Sequence, residues 1–347
     1  MLSSRALNRT LLLRQHLLER TTMPALAMVD HLVGLQAQEN LPPYLSLAAR
    51  IEDFDPLELS DAFEHKHAVR FLTMRGTIHV LTPDDALSLR GWVQRALDQQ
   101  SASNQMSRPA REVPVPDLVK ATRDLLADGP LPVKRLGERL ADRFPGVLAG
   151  ALAHTARERV PMVQLPPRGL WQRPGGVVYQ TVDTYLDREP FEVDVRDLVR
   201  RYLRAFGPGT AADMTVWSRV TRLGPVFTSM ADELVVVECE DGRRRYDAPD
   251  APYAEADVPA PVRLLGAYDN VWLSFTDRER VVPFDVRGRW MGTNGGIGNT
   301  IFVDGFMAGL WWWREGQVVL DVFRRLTRVQ REELDTEVAR VEAMLGD

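Results

Sequence analysis

Two glutamines, Gln36 and Gln38, stand on either side of one alanine in the stretch GLQAQENLPPYLSLAAR, residues 34–50. A side-chain amide does not titrate near neutral pH, so this pair cannot act as a general acid or a general base. It can orient a water molecule, and its carbonyl oxygens can stabilise developing positive charge. The plain alternative is that both residues finish the helix predicted for the preceding apolar run, where their amides meet water or cap backbone groups. The pair alone does not decide between these readings.

Other familiar kinds of reactive site are absent from the sequence. The segment GTNGGIG, residues 292–298, lacks the lysine of a nucleotide-binding loop and the spacing of a dinucleotide fingerprint, so we expect a loop between β-strands. The single cysteine, Cys239, excludes an internal disulfide and any multi-cysteine metal site. His65 and His67 have no matching third ligand. We therefore expect neither a metal nor a cofactor.

The charge of the chain is acidic overall but unevenly distributed. The 347 residues carry a formal net charge of −5, which by itself argues against binding to phosphate-rich nucleic acid. Between residues 101 and 180, however, Lys and Arg outnumber Asp and Glu by twelve to seven, which allows a basic face. No apolar run is long enough to span a membrane, and no charged start precedes an apolar segment. We expect a soluble cytoplasmic protein without a membrane partner.

The elements that must position the glutamines follow a repeated order of helices and a hairpin. The clearest case is residues 191–247, where FEVDVRDLVRRYLRAF has a helical apolar stripe and Thr210 is a good cap for TAADMTVWSRV. GPVFTSMADEL follows, and LVVVECEDGRRRYDAP then predicts strand, Asp-Gly turn, strand. Three helices followed by a hairpin is the winged-helix order.

Looser versions of this order precede it. Residues 116–185 contain three predicted helices and a hairpin placed in LWQRPGGVVYQTV, around Gly175 and Gly176. Residues 3–82 contain helices predicted in SRALNRTLLLRQHLLE, MPALAMVDHLVGLQAQ and PPYLSLAARI, and strands in AVRFLTMRGTIHVLTP. From residue 261 onward the chain alternates like β structure, including VRLLGAYDNVWLSF and the Trp311–Trp313 run, and ends in an amphipathic helix. We predict an α+β fold with units at residues 1–110, 111–190, 191–260 and 261–347.

Arginines in two of the predicted hairpins are candidates for DNA contacts. The turn EDGRRRYD carries Arg243, Arg244 and Arg245, where a wing would hold them against a phosphate backbone or in a minor groove. The alternative is a charged tip that prevents pairing between sheet edges. QRPGGVVYQ, with Arg173, is a weaker case of the same kind.

Four stretches together resemble the AlkZ and YcaQ family of winged-helix DNA glycosylases. They are LQAQENLPPYLSLAAR, MRGTIHVLTPDD, FGPGTAADMTVWSRV and IFVDGFMAGLWW, in the family's order across nearly the whole chain. The resemblance implies three tandem winged helices that form a concave, C-shaped molecule, here followed by a β-rich region and a final helix. The AlkZ-like branch carries Gln, apolar, Gln, which Gln36–Ala37–Gln38 matches, whereas the YcaQ-like branch has Asp at the second polar position.

The resemblance implies a monofunctional glycosylase that excises bulky N7-alkylpurines from double-stranded DNA in alkylation-damage repair. Such a base is already cationic, so its departure needs no general acid, and two amides suffice to guide water to the oxocarbenium-like sugar. A base tethered to the opposite strand cannot be flipped fully outwards, so the site is expected to be shallow. Whether crosslinks are accepted, and whether the gene serves self-resistance in an antibiotic producer, stays open.

The expected site residues follow from this resemblance and from the hairpins. Gln36 and Gln38 are the predicted catalytic residues. The predicted DNA-binding residues are Arg50, Arg75, Arg173, Arg243, Arg244 and Arg245. We expect a bacterial monomer that joins the nucleoid when it is bound to DNA.

Two other classes of function remain compatible with the sequence. A non-enzymatic winged-helix DNA-binding protein, such as a transcriptional regulator, would use the same fold, although no effector domain is recognisable. A small-molecule enzyme built on the Trp-rich C-terminal region has no nucleophile and base pair in its favour.

Overall fold

The computed structural model describes residues 1–286, 288–289 and 298–346. Helices and strands are mixed, as the α+β prediction requires. The loop expected at GTNGGIG lies outside the described residues except for Gly298. None of the helices in the described ranges combines the length and apolar content needed to cross a membrane.

Residues 1–110 contain five α-helices, and side-chain caps explain where three of them begin. Ser3, Asp55 and Thr82 each accept a hydrogen bond from a backbone N–H in the first turn of the helix that follows them, and the last two are followed directly by proline. The helices are α1 (Ser4–Arg14), α2 (Ala25–His31), α3 (Pro42–Ala48), α4 (Pro56–Glu64) and α5 (Pro83–Ser103), and the strands are β1 (Leu35–Gln36), β2 (Val69–Leu72) and β3 (Ile78–Leu81).

The predicted helix ending in LVGLQAQ is wrong at its C-terminal end. The helix stops at His31, and the next turn contains Val33 and Gly34 in left-handed backbone conformations, with φ values of 52° and 94°. The chain then leaves in an extended conformation and pairs with β3, so Gln36 lies on a strand opposite His79. The first glutamine is therefore fixed by a sheet and does not fray at a helix end.

The second stretch supplies a group of helices and the other half of a shared sheet. The helices are α6 (Val115–Ala127), α7 (Val133–Arg143), α8 (Ala149–Arg159) and α9 (Val182–Leu186), and the strands are β4 (Leu131–Pro132), β5 (Met162–Gln164) and β6 (Val178–Thr181). The hairpin is present, but its strands are β5 and β6. Gly175 and Gly176 do not form a tight turn, because they lie in the long connection of residues 165–177.

Strands from the first two stretches form one antiparallel sheet of order β1-β3-β2-β5-β6-β4. The junction is the pairing of Arg70 with Gln164 and of Phe71 with Val163. A continuous sheet makes residues 1–110 and 111–190 neighbours with a fixed register. It also leaves β1, with the glutamine motif, at one edge.

The third stretch has the predicted order of three helices and a hairpin. Thr210 and Asp213 form a reciprocal capping box at the start of the second helix, as the sequence suggested for Thr210. The hairpin closes at Asp241–Gly242, where Gly242 has a φ of 73°. The elements are α10 (Val195–Phe206), α11 (Ala211–Ser218), α12 (Gly224–Ser229), β7 (Val235–Glu238) and β8 (Arg244–Asp247).

The C-terminal part is a four-stranded antiparallel sheet, of order β12-β11-β10-β9, packed against the last helix. Its strands are β9 (Arg263–Leu265), β10 (Asn299–Val303), β11 (Phe306–Arg314) and β12 (Gln317–Val322), and its helices are α13 (Asn270–Leu273) and α14 (Arg328–Gly346). The β prediction is wrong for NVWL, because Asp269 caps a short helix there. Trp311 is fully buried, as expected of at least one residue of its run.

The cores show which parts of the chain hold the glutamine motif in place. The largest core joins residues from 1–110, 191–260 and the C-terminal part. It includes Phe71, Tyr202, Trp217 and Trp272. Separate cores lie among α6–α8 and between the C-terminal sheet and α14. Trp217 belongs to the same core as Leu35 of β1, although the two residues are far apart in the sequence. This packing brings α11 to the candidate site.

Candidate active site

Gln36 lies on the edge strand β1 with its side chain largely enclosed. The residue is 8% exposed, and its Oε1 accepts a hydrogen bond of 3.1 Å from Nη2 of Arg75. Because a guanidinium only donates hydrogen bonds, the amide atom that faces it must be the oxygen. One lone pair of that oxygen is therefore engaged, and the NH₂ group points elsewhere.

Gln38 follows the strand and is exposed. Its Oε1 accepts a long hydrogen bond of 3.4 Å from the backbone N–H of Ile78. Between the glutamines, Ala37 is completely buried, its N–H donates to the Ile78 carbonyl and its carbonyl accepts from Arg70. The backbone of the motif is thus held on both sides, while the second amide remains accessible to solvent.

Arg75 connects three parts of the site. Its Nη1 donates to the carbonyl of Trp217 at the end of α11, and its Nη2 donates to Gln36 and, at 3.0 Å, contacts Nε2 of His79. Burial of the guanidinium, and next the charge of Arg219, lower its pKa to about 10. The group therefore remains protonated at neutral pH.

Arg75 also has an unusual backbone. Its φ of 56° lies in the left-handed region, which costs a residue with a Cβ roughly 1 kcal/mol or more. The surrounding turn tolerates this conformation because Gly76, which follows it, also has a positive φ. Backbone strain of this kind clusters at functional sites.

His79 is fully buried and must be neutral. Its Nε2 faces the donor-only guanidinium of Arg75 and therefore accepts, so its Nδ1 carries the proton and donates to the Thr77 carbonyl at 3.1 Å. Burial, reinforced by the charge of Arg75, holds the pKa of His79 well below its usual range. The imidazole serves as a fixed acceptor that orients the arginine.

No carboxylate among the described residues contacts this group. Within residues 1–286, 288–289 and 298–346, the side chains of Gln36, Gln38, Arg75 and His79 have no hydrogen bond or ion pair with Asp or Glu. Glu39, the next residue in the chain, is exposed. The arrangement can orient and polarise a small molecule such as water, but it offers no group to exchange a proton near neutral pH.

Three of the arginines predicted to bind DNA point into the protein. Arg50 is 0% exposed, and its two terminal nitrogens bind the carboxylate of Asp269 at 2.7 and 2.8 Å, so it is not part of a DNA surface. The Arg75 guanidinium already bonds to Trp217, Gln36 and His79. Arg245 is buried and forms a two-point ion pair with Asp241 across the hairpin turn, so its guanidinium is not free for phosphate either.

The other three predicted arginines are exposed. Arg243 lies 3.6 Å from Asp277, and Arg173 lies 3.9 Å from Glu64, both at weak ion-pair distance. Arg244 has no side-chain hydrogen bond or ion pair in the part of the chain that the structure describes. These three residues stay candidates for contact with DNA.

The sequence-based site does not include Arg219, whose charge acts on Arg75, or Arg222 in the same loop. The loop after α11 carries Arg219 and Arg222, both exposed and both left-handed, with φ values of 69° and 65°. Ser218 fixes the loop by accepting from the Val220 N–H, and neither guanidinium has a partner among the described residues. The spacing in SRVTR could have suggested a basic loop, but its proximity to Gln36 follows only from the tertiary packing.

Comparisons with known proteins agree on one family. The model of the family described as DNA glycosylase AlkZ-like matches residues 29–344. The chain is similar to an interstrand DNA cross-link repair glycosylase of Streptomyces sahachiroi, with 27% identity over 359 residues, 96% of this chain and 94% of that protein. The solved structure of S. sahachiroi DNA glycosylase AlkZ superposes with a TM-score of 0.79 at 24% identity, covering 100% of this chain and 98% of that one.

Proposed function

Because this chain belongs to the AlkZ-like DNA glycosylase family, we propose that it releases bulky cationic N7-alkylpurines from duplex DNA by hydrolysing the base–sugar bond. The observation that carries this proposal is the Gln36–Ala37–Gln38 motif, which a sheet holds beside a buried arginine and a neutral histidine. No Asp or Glu in the described part of the chain bonds to these side chains. The proposal of a non-enzymatic regulator is not retained, because the family is one of enzymes.

The chemistry of the substrate explains why uncharged side chains suffice. Alkylation at N7 places a positive charge on the purine, so the base leaves as a neutral molecule without prior protonation. Charge develops on the sugar instead, and amide oxygens directed at it are stabilising. Water then completes the reaction. A bifunctional mechanism would need an attacking amine, and the three lysines of the chain, Lys66, Lys120 and Lys134, make no contact with either glutamine.

A crosslinked base adds a geometric requirement that supports the same site. A base joined to both strands cannot rotate into a deep pocket. Gln38 is exposed at the edge of the sheet and can approach a lesion that remains in the duplex. The related S. sahachiroi protein is named a cross-link repair glycosylase, which supports unhooking as a second activity.

Base release from defined duplexes tests this function. A duplex with one N7-methylguanine should acquire an abasic site, detected as an alkali-labile break, and a duplex crosslinked through N7 of two guanines should yield single strands on a denaturing gel. Release from the monoadduct alone would restrict the activity to monoadducts. Protection of one DNA sequence without any base release would instead favour a regulator.

The rate of base release should not depend on pH near neutrality. The amides do not titrate, the lowered pKa of His79 keeps its imidazole neutral above about pH 6.5, and Arg75 stays charged below about pH 9. We expect the single-turnover rate constant on N7-methylguanine to vary less than about twofold from pH 6.5 to 9. A sigmoidal or bell-shaped profile in that window would reveal a titrating general acid or base.

We propose that Arg219 and Arg222 contact phosphates beside the lesion, together with the hairpin residues Arg243 and Arg244. Asparagine tolerates a left-handed φ, so Arg219→Asn with Arg222→Asn removes both charges with little backbone strain. We expect weaker binding and a salt dependence of log Kd that is shallower by about 0.9 per lost phosphate contact. Arg331→Gln, on exposed α14, is the matched control; an unchanged slope in the double variant would exclude the loop from the DNA surface.

A further inference from the structure

We propose that Arg75 is a positioning residue that gives the two glutamines different roles, with Gln36 as hydrogen-bond donor and Gln38 as acceptor for the attacking water. This inference rests on the proposed glycosylase function. It differs from the sequence-based view of Arg75 as a DNA contact.

Arg75 fixes the orientation of the Gln36 amide. A guanidinium has five N–H donors and no acceptor, so the hydrogen bond from Arg75 holds the amide oxygen inward and turns the NH₂ group away from Arg75. A charged donor on the oxygen also draws electron density from the amide and strengthens its NH₂ as a donor. Gln36 therefore presents a donor to anything bound beside it.

The Arg75 guanidinium is itself held rigidly. Its guanidinium is held by acceptors on two other elements, the Trp217 carbonyl at the end of α11 and Nε2 of His79 on β3. The histidine can accept only because it is neutral, as its position and lowered pKa require. A planar group held by three acceptors has little freedom to rotate, so it transmits a fixed geometry to Gln36.

The amide oxygen of Gln38, unlike that of Gln36, is not held by a cation among the described residues. Its oxygen has only the 3.4 Å contact with the Ile78 N–H, no cation lies against it in the described contacts, and the side chain is exposed. At least one lone pair of this oxygen remains free for a water hydrogen. Water held between the Gln36 NH₂ and the Gln38 oxygen keeps its second lone pair directed at the sugar.

The reaction needs only the alkylated nucleotide and water, and every bond and proton is accounted for. The electron pair of the C1′–N9 bond leaves with the purine and neutralises the charge at the alkylated ring. The water oxygen forms the new C1′–O bond, and the proton that it loses passes to solvent. Neither glutamine is protonated at any stage, and no oxidant, reductant or metal is consumed.

The test is a double-mutant cycle between Arg75→Asn and Gln36→Ala, measured as single-turnover release of N7-methylguanine from duplex at saturating protein. Asparagine accepts the left-handed φ of position 75, so the variant removes the guanidinium without adding strain. We expect Arg75→Asn to lower the rate about 10- to 100-fold, with the Kd for duplex within about twofold. In the Gln36→Ala background the same change should lower the rate less than about threefold, because its effect passes through Gln36.

Three further variants test the roles and guard against misfolding. Lys66→Asn removes an exposed cation at another left-handed position, with φ 61°, and should leave the rate within about twofold. Gln38→Glu keeps an acceptor and should cost less than about tenfold, whereas Gln36→Glu loses the donor and should cost about 100-fold. Thermal unfolding of each variant is recorded alongside.

The outcomes separate this inference from the proposed function. If the wild-type protein releases no base, the glycosylase proposal fails. If the wild-type protein is active and Arg75→Asn matches it, or if the two mutations act independently, Arg75 does not position Gln36. A loss confined to Kd, with a shallower salt dependence, would make Arg75 a phosphate contact and overturn the inference.

Discussion

Replacing both glutamines of the motif with alanine should reduce base release at least about 1,000-fold while duplex binding is largely kept. Removal of a single preorganised polar group in an active site costs roughly 100- to 1,000-fold, and this variant lacks both of the groups that we propose hold the water. Binding should survive because Gln36 is enclosed, and the exposed arginines are on other segments. Single-turnover release and fluorescence anisotropy on the same duplex measure the two effects.

The adjacent carboxylate provides the control for this result. Glu39→Gln changes the residue after Gln38 and removes the one carboxylate next to the motif in sequence. If amides alone guide the water, this variant should keep the rate within about threefold. Loss of activity in Glu39→Gln, or full activity in the double alanine variant, would move the chemistry to a general base.

Replacing Asp269 with asparagine should cost about 3–5 kcal/mol of unfolding free energy, because it leaves the Arg50 guanidinium buried without its counter-charge. Both side chains are 0% exposed, and Arg50 also donates to the Ser46 carbonyl and to Gln15. Burial alone would raise the pKa of Asp269, but the charge and hydrogen bonds of Arg50 hold it below its usual value. Urea unfolding followed by circular dichroism measures the loss.

Two comparisons make this stability prediction specific. Asp124→Asn removes a surface carboxylate that both Lys120 and Arg143 contact, and there we expect no resolvable change in the urea midpoint because surface ion pairs contribute little. Replacing both buried partners with apolar residues, Arg50→Met with Asp269→Leu, should cost less than Asp269→Asn alone. A stable Asp269→Asn variant with weakened DNA binding would instead return Arg50 to the DNA surface.

Local signals in the sequence predicted the parts of the fold that local interactions determine. The Thr210 cap and the Asp-Gly turn of residues 241–242 both lie where the sequence placed them, because caps and tight turns depend on a few neighbouring residues. The final helix, Arg328–Gly346, also lies where its apolar periodicity predicted it. The type of chemistry stays a prediction from the sequence, in which two amides guide water without a general base.

Long-range packing determines the features of the fold and the site that local sequence patterns do not predict. The pairing of Arg70 with Gln164 joins two predicted units into one sheet, and nothing local encodes it. Arg50 and Arg75 carry a charged group that suits phosphate, and the sequence alone does not show that this group has another partner. Their partners, Asp269 and Trp217, are far away in the chain, so only the fold shows that both guanidinium groups are already engaged. The same packing brings Arg219 to the site.

The charge of the departing base is the property on which the proposed mechanism depends, and a comparison of lesions tests it directly. Single-turnover release should be measured at equal protein concentration from duplexes that contain N7-methylguanine, uracil or the neutral adduct 1,N6-ethenoadenine, each corrected for spontaneous loss. We expect release of the cationic base and, for both neutral bases, rates at least about 1,000-fold lower, since none of the described groups around the glutamines can protonate a leaving base. Release of either neutral base at a rate comparable with N7-methylguanine would contradict the account.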